Sequence, residues 1–221
     1  HLRLSMHQAP TEVFICAEIT DTKNHITSLG ETMKTIYEDN PSLFWEVAFV
    51  NLSYNSFIVN WFCSNISIGQ TYNKKVIKEE IANQGFIGSL STVENAATAF
   101  IDMAKKSPVG EDMLQGITMG KEGLKRDAYD DISIEAVAYS IYRFGRHHEI
   151  SMMRVSDFYK ESEEHGVYKE FRTSKMEFLK KLRALSSDTN RVLIAELNMG
   201  LDHITIREDL TPQKVLELLA L

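Results

Sequence analysis

Cysteine is scarce in this chain, and the two that are present, Cys16 and Cys63, both lie in apolar stretches. Two isolated thiols are too few for the disulfide framework of a small secreted domain. We therefore predict that both are buried and free, as in a reducing compartment. The amino-terminal stretch does not have the pattern of a signal peptide either. We therefore expect a cytoplasmic protein.

The chain also lacks an uninterrupted apolar segment long enough to cross a bilayer. Its most apolar stretch, Ser42–Cys63, is broken by Glu46, Asn51, Asn55 and Asn60 and has no basic flanks. We predict a buried bent helix or helical hairpin rather than a membrane anchor. Because an unpaired buried amide is costly, Asn51 and Asn55 are expected to cross-link this segment to other helices.

Positive charge is not in excess. The chain has 24 Lys and Arg residues against 31 Asp and Glu residues, which gives a net charge of −7. This balance excludes a protein that coats nucleic acid by bulk charge, but it leaves room for a local basic surface. A length of 221 residues allows one large domain or two or three small ones.

Sequence motifs for catalysis and metal binding are missing as well. The chain has no phosphate-binding glycine loop before a helix, no His-Glu-x-x-His motif and no nucleophile in a strained turn. The densest titratable cluster, RHHE at Arg146–Glu149, ends a predicted helix, where the helix dipole favours cations. We expect no cofactor and no metal site, and the sequence assigns no catalytic residue.

The chain does contain a series of short amphipathic segments separated by turns. Val13–Ile19 predicts a strand, Thr71–Gly85 and Ser91–Lys106 predict a helix-turn-helix pair, and the glycine-rich Ser107–Gly123 predicts a linker. We predict a mainly helical α+β fold with small β-hairpins, in which tandem helix-turn-helix or winged-helix units surround Ser42–Cys63. The predicted domains are a winged-helix remnant (1–40), a helical region (41–120) and a C-terminal winged helix (121–221).

The last hundred residues give the clearest pattern. Apolar spacing over Ile134–Phe144 predicts a helix capped by Asp131. An extended EISM and a short helix, VSDFYKES, precede a longer helix, TSKMEFLKKLRALSS, with a predicted buried stripe of Met176, Phe178, Leu179, Leu182 and Leu185. Two strands, RVLIAEL and DHITIRE, and a closing helix that starts near Pro212 complete a winged-helix order.

Two stretches nearly repeat each other, AEITDTKNHIT (Ala17–Thr27) and AELNMGLDHIT (Ala195–Thr205). In the second, the predicted hairpin places His203 at the start of the return strand. The first is then expected to be the wing of a vestigial unit, with His25 in the matching position. Metal-ligand spacing is missing around both histidines, so we interpret the repeat as structural.

A basic segment within this acidic chain is the best functional signal. From Lys169 to Arg207, eight basic residues stand against five acidic ones. The recognition helix of a DNA-binding domain contacts phosphates and base edges with such side chains. We predict contacts to double-stranded DNA from Lys169, Arg172, Lys175, Lys180, Lys181, Arg183 and Arg191. The alternative is a solvated face in which Glu177 and Lys181 form an ordinary i,i+4 pair.

Five phrases between Ile26 and Leu221 form a further pattern: LGETM before NPSLFW, NLSYNSFIVNWF, SPVGE, AYSIYRFG and GLDHITIREDLTP. Together they resemble a family of domains of unknown function encoded beside DNA phosphorothioation and phage-defence genes. They are also similar to the C-terminal region of PAPS-reductase-like proteins of those systems. The resemblance implies a DNA-binding or scaffolding component of such a system, with other proteins of the operon as partners.

The chain differs from these proteins in that it lacks their catalytic motifs. It lacks the nucleotide-binding loop of a PAPS-reductase-like domain, so sulfur transfer is not assigned to it, and it shows no nuclease-type cluster of carboxylates and lysine. Two alternatives stay open. One is a metal-dependent DNA nickase, and the other is a pure protein–protein interaction module.

Overall fold

A computed structural model describes residues 11–83, 89–110, 112–113, 115–117, 123–189, 191–198 and 202–221. In these ranges helices predominate, and the strands form two three-stranded antiparallel sheets. The expected mainly helical α+β class is therefore confirmed. None of the helices in these ranges is long and apolar enough to cross a membrane.

The N-terminal part is helical. Its elements are α1 (Thr11–Cys16), α2 (Ser28–Asp39), α3 (Pro41–Asn55) and α4 (Phe57–Asn65). Pro41 starts α3, and the side chain of Asn40 caps it by accepting from the Leu43 amide. Ser56 separates α3 from α4 with an extended backbone. The Ser42–Cys63 segment is thus the buried, bent helical pair that its sequence predicts.

The two sheets have a similar order of elements, a strand followed by helices and then by two strands, although the second group adds a 3₁₀ helix after its first strand and a helix after its last. The first group contains β1 (Thr71–Asn73), α5 (Lys74–Asn83), α6 (Leu90–Lys106), β2 (Gln115–Ile117) and β3 (Gly123–Arg126). The second contains α7 (Ile134–His147), β4 (Met152–Arg154), a 3₁₀ helix (Val155–Tyr159), α8 (Val167–Phe171), α9 (Lys175–Ser187), β5 (Leu193–Glu196), β6 (His203–Ile206) and α10 (Pro212–Ala220). In each group the last strand is central, giving the orders β1-β3-β2 and β4-β6-β5.

Polar side chains on α3 join it to its neighbours. The Asn51 amide donates to the Ala17 carbonyl at 3.0 Å and accepts from the Tyr139 hydroxyl of α7 at 2.9 Å. Asn55 donates to the Cys16 carbonyl at 2.9 Å. These bonds confirm the expected cross-linking role of the two amides, since they satisfy carbonyls at the end of α1, although Asn55 is exposed rather than buried.

The predicted strand over Val13–Ile19 is wrong, because α1 occupies most of it. After α1 the chain turns at Glu18, which has a positive φ, and an isolated bridge joins Thr20 to Ile26. Thr27 then caps α2, whereas the matching Thr205 lies within β6. The two near-repeats are therefore different structures, and the interpretation of the first as a wing fails. A short apolar run fits either element, and here packing against α3 favours a helix.

Several smaller expectations also differ from the structure. The stretch Thr71–Gly85, predicted as a helix, begins with β1 before α5, and its last residues, 84 and 85, lie outside the described residues. The Ser107–Gly123 stretch contains β2 rather than serving only as a linker. Ser133, not Asp131, caps α7 by accepting from the Ala136 amide.

Arg126, the last residue of β3, is fully buried. Its guanidinium donates to the carbonyl of Cys63 in α4 at 2.7 Å and to the carbonyls of Lys169 and Glu170 in α8. It also lies over the Phe62 ring, 5.0 Å from the centroid. Burial lowers the pKa of Arg126 to about 10, so the side chain stays charged at neutral pH. One cation thus joins the first sheet to the ends of two helices.

We expect Arg126→Met to lower the free energy of unfolding by about 3–5 kcal/mol, because the shorter apolar side chain leaves buried carbonyls without donors. Urea unfolding followed by circular dichroism measures this change. Lys105→Met, which removes an exposed cation from the end of α6, is the control and should change stability by less than about 0.5 kcal/mol. Equal effects of the two substitutions would contradict a structural role for Arg126.

Candidate nucleic-acid interface

Helix α9 is anchored by its apolar side. The Ser174 hydroxyl caps the helix by accepting from the Glu177 amide at 3.3 Å. Phe178, Leu182 and Leu185 are completely buried, as their spacing predicts. Met176 is not part of this stripe, because its side chain is 72% exposed. The opposite side of α9 therefore faces solvent.

The exposed side of α9 is cationic. Lys175, Lys180 and Arg183 are exposed, and Lys181 is half-buried. The single acidic residue of the helix, Glu177, pairs with Lys180 at 3.3 Å rather than with Lys181. Such a solvated pair contributes little to stability and can open to release the lysine. Four basic side chains against one carboxylate give this face a positive charge.

Arg191 extends the basic surface beyond the end of α9. The residue is exposed and has a φ of 45°, and its amide donates to the Asp188 carbonyl at 3.1 Å. Val192 and Leu193, which follow it, are buried. Arg191 is thus held in the short turn that joins α9 to β5.

Lys169 and Arg172 do not lie on this surface, although the sequence places them with the other five. Lys169 is only 7% exposed, its ammonium donates to the Glu161 carbonyl at 3.1 Å, and burial lowers its pKa. Arg172 follows α8 in a left-handed conformation and donates to the Cys63 carbonyl at 2.9 Å. Both cations are used within the fold. The apolar pair Val167 and Phe171, four residues apart, is the sequence signal that this segment packs inward.

The corresponding helix of the first group, α6, has a different character. Its sequence contains two basic and two acidic residues, and both lysines lie in its last turn. Glu94 in its first half pairs with Lys78 of α5. Although α6 and α9 hold matching places in the element order, the cationic face belongs to α9.

An aromatic cluster that sequence reasoning missed lies at the C-terminal end of α7. The Tyr54 and His165 rings stack in parallel with centroids 4.0 Å apart. The His147 ring meets both edge-on, at 5.3 Å from Tyr54 and 4.7 Å from His165, and Arg143 lies 5.2 Å over the Tyr54 ring. A cavity of about 380 Å³ opens beside the cluster, lined by Tyr54, Asn55, Arg143, Arg146 and His147.

The RHHE motif supplies part of this cluster and part of the scaffold. Arg146 donates to the carbonyls of Glu208 and Leu210, ahead of α10, and so joins the end of α7 to that segment. Burial, reinforced by His147, lowers the pKa of His165 to about 4, so His165 is neutral at pH 7. Among the described residues, no group of three or more His, Cys, Asp or Glu side chains could hold a metal ion.

A buried carboxyl lies close to this cluster. Glu170 of α8 accepts from the Ser140 hydroxyl at 2.6 Å and from the Gly166 amide at 3.3 Å. Burial nevertheless raises the pKa of Glu170 to about 7. Its ordinary value is 4.5, so the folded protein holds this proton more tightly than the unfolded chain does. Its stabilising contribution is present below pH 4.5 and is lost as the pH rises through 7.

We predict that the stability of Glu170→Gln relative to wild type increases as the pH rises, and that the relative stability of His165→Phe increases as the pH falls. Relative to wild type, Glu170→Gln should gain stability as the pH rises from 4.5 to 7, by up to about 1.4 kcal/mol per pH unit. His165→Phe keeps a ring on Tyr54. It should gain relative stability as the pH falls from 6.5 to 4, because in that range unfolded wild type protonates His165 while folded wild type keeps it neutral, which destabilises the wild-type fold.

Urea unfolding at a series of pH values measures both differences. Comparing each variant with wild type cancels the titration of all other groups. If the free energy of unfolding of each variant changed with pH in the same way as that of wild type does, Glu170 and His165 would not have the shifted pKa values that burial gives them.

Comparison with known proteins assigns neither a family nor a function to this chain. No protein-family model, no curated protein and no solved structure matches it. Function therefore has to be inferred from the side chains themselves.

Proposed function

We propose that the protein binds double-stranded DNA through α9, acting as the recognition helix of a C-terminal winged-helix domain. The observation that carries this proposal is the exposed cationic face of a helix whose other side is fully buried. The succession of α7, β4, the 3₁₀ helix with α8, α9 and the β5–β6 hairpin supports it, as does the sheet order β4-β6-β5. The matching order from α4 to β3 supports a second winged-helix unit.

The exposed basic side chains are the ones that would bind phosphate groups. Lys175, Lys180 and Arg183 project from α9, and Arg191 adds a contact at the end of the helix. Lys181 is half-buried and contributes from the border of this face. The exposed Met176 precedes Lys180 by one helical turn, and it offers an apolar contact of the kind that thymine methyl groups accept.

The charge of the whole chain restricts how this binding works. With a net charge of −7, the protein is repelled from DNA except where α9 faces the duplex. Affinity then depends on a few localised contacts, each of which displaces counterions from DNA. Binding should weaken steeply as the salt concentration rises.

The cellular role we propose rests on the resemblance to domains of DNA phosphorothioation and phage-defence systems. In such a system the chain would act in the cytoplasm as a DNA-binding or scaffolding component beside other proteins of the operon. Co-purification of the chain with co-encoded proteins, with and without nuclease treatment, tests whether those contacts are direct or bridged by DNA.

We expect Lys180→Gln combined with Arg183→Gln to weaken duplex binding at least about tenfold. The slope of log K against the logarithm of the salt concentration should become shallower by the equivalent of about two phosphate contacts. Fluorescence anisotropy of a short labelled duplex at two or more salt concentrations measures both quantities. Lys105→Gln with Lys106→Gln on α6 is the matched control, because it removes the same charge from the corresponding helix. This pair should leave affinity and salt dependence unchanged.

Other outcomes of the same experiment separate the alternatives. Equal losses in both double variants would indicate nonspecific charge binding and contradict a role for α9. Absence of binding in wild type, together with a stable complex with a co-encoded protein, would identify an interaction module. Nicking of supercoiled plasmid in Mg²⁺ or Mn²⁺ would identify the nickase.

A further inference from the structure

The sheet β4-β6-β5 has one open face, and the strand register arranges that face in two rows. Met152, Thr205 and Ile194 are paired across the three strands in one row. Arg154, His203 and Glu196 form the next row. Because alternate residues point to the same side of a strand, all six side chains share one face. The other face carries buried residues of each strand, such as Met153, Leu193 and Ile204, and packs on the core.

The open face combines exposed apolar groups with separated charges. Met152 and Ile194, at the two edges of the first row, are 61% and 58% exposed, so both large apolar side chains lie open on the same face. Arg154 and Glu196, at the two edges of the second row, are also exposed. Neither forms an ion pair with a described residue; Asp157, which interacts electrostatically with Arg154, is paired with Lys160 at 2.7 Å.

We propose that two copies of this chain pair face to face through this sheet, around a two-fold axis parallel to β6. Rotation about such an axis places the β4 edge of one copy over the β5 edge of the other. Arg154 of each copy then faces Glu196 of the second copy, and Met152 faces Ile194, so that each contact occurs twice. His203 and Thr205, on the axis, face their own counterparts. Sheets packed about 10 Å apart with strands nearly aligned allow these contacts.

Self-complementarity is the reason to assign a second copy rather than a different partner. A two-fold interface requires that every group on one side of the axis has its complement on the other side of the same surface. Both rows meet this requirement, one through opposite charges and one through apolar side chains. Six side chains per copy bury less than the roughly 800 Å² per partner of a standard interface, so the association is weak and concentration-dependent.

The proposal is tested by exchanging the two charges. Sedimentation velocity of the full chain over a range of concentrations should show a monomer–dimer equilibrium for wild type. R154E places two carboxylates opposite each other at both ends of the interface, and E196R places two guanidinium groups there. Each single variant should raise the dissociation constant at least about tenfold.

Rescue distinguishes this pairing from a general loss of structure. The double variant R154E/E196R restores opposite charges at both contacts and should dimerise again. An equimolar mixture of R154E and E196R should form a heterodimer, because each then supplies the charge that the other needs. K75E, which reverses an exposed charge on α5, is the control and should dimerise like wild type.

Three results would overturn the proposal. They are a wild type that stays monomeric up to its solubility limit, a dimer that is insensitive to both single variants, and a mixture that fails to reassociate. Circular dichroism confirms that each variant is folded. If a charge variant fails to fold, T205R on the axis provides the second test, since like charges would then meet at the centre of the interface and abolish the dimer. DNA affinity is not used as a readout, so the test is independent of the proposed function.

Discussion

The buried guanidinium of Arg126 is the interaction on which the arrangement of this protein depends. The last carbonyls of a helix have no partners within the helix, and Arg126 donates to such carbonyls in both α4 and α8. A single fork of hydrogen bonds therefore fixes the first sheet against two helices from different parts of the chain. Because α8 leads into α9 through Thr173 and Ser174, this buried cation also holds the segment that precedes the basic helix.

Two groups of cations in this protein have opposite uses. Arg126, Lys169 and Arg172 are directed inward and satisfy backbone carbonyls, where their charge holds the fold together. The cations of α9 and the turn after it are directed outward, with one carboxylate of the helix to balance them. Interior carboxyl and imidazole groups respond to burial by favouring their neutral forms. A chain that is acidic as a whole thus carries a cationic face on α9.

Local sequence patterns were sufficient for much of the second half of the fold. The apolar stripe Phe178, Leu182 and Leu185 predicts α9, and the two apolar segments RVLIAEL and DHITIRE predict the β5–β6 pairing, which the structure has. The break between α3 and α4 and the cross-linking by Asn51 were also predictable, because a polar group in an apolar helix needs a partner. The candidate site was found for the same reason, since five of its seven proposed residues belong to α9 or its following turn.

The sequence by itself determined that the chain is mainly helical and that α9 has one apolar and one basic side, because helical periodicity acts over a few residues. Only the tertiary structure decided that Val13–Cys16 is helical, that Lys169 and Arg172 are turned inward, and that Tyr54 stacks on His165. Each of these outcomes depends on a partner far away in the chain, such as the Cys63 carbonyl for Arg172. A side chain's own neighbours in sequence do not specify such a partner, and burial against it outweighs local propensity.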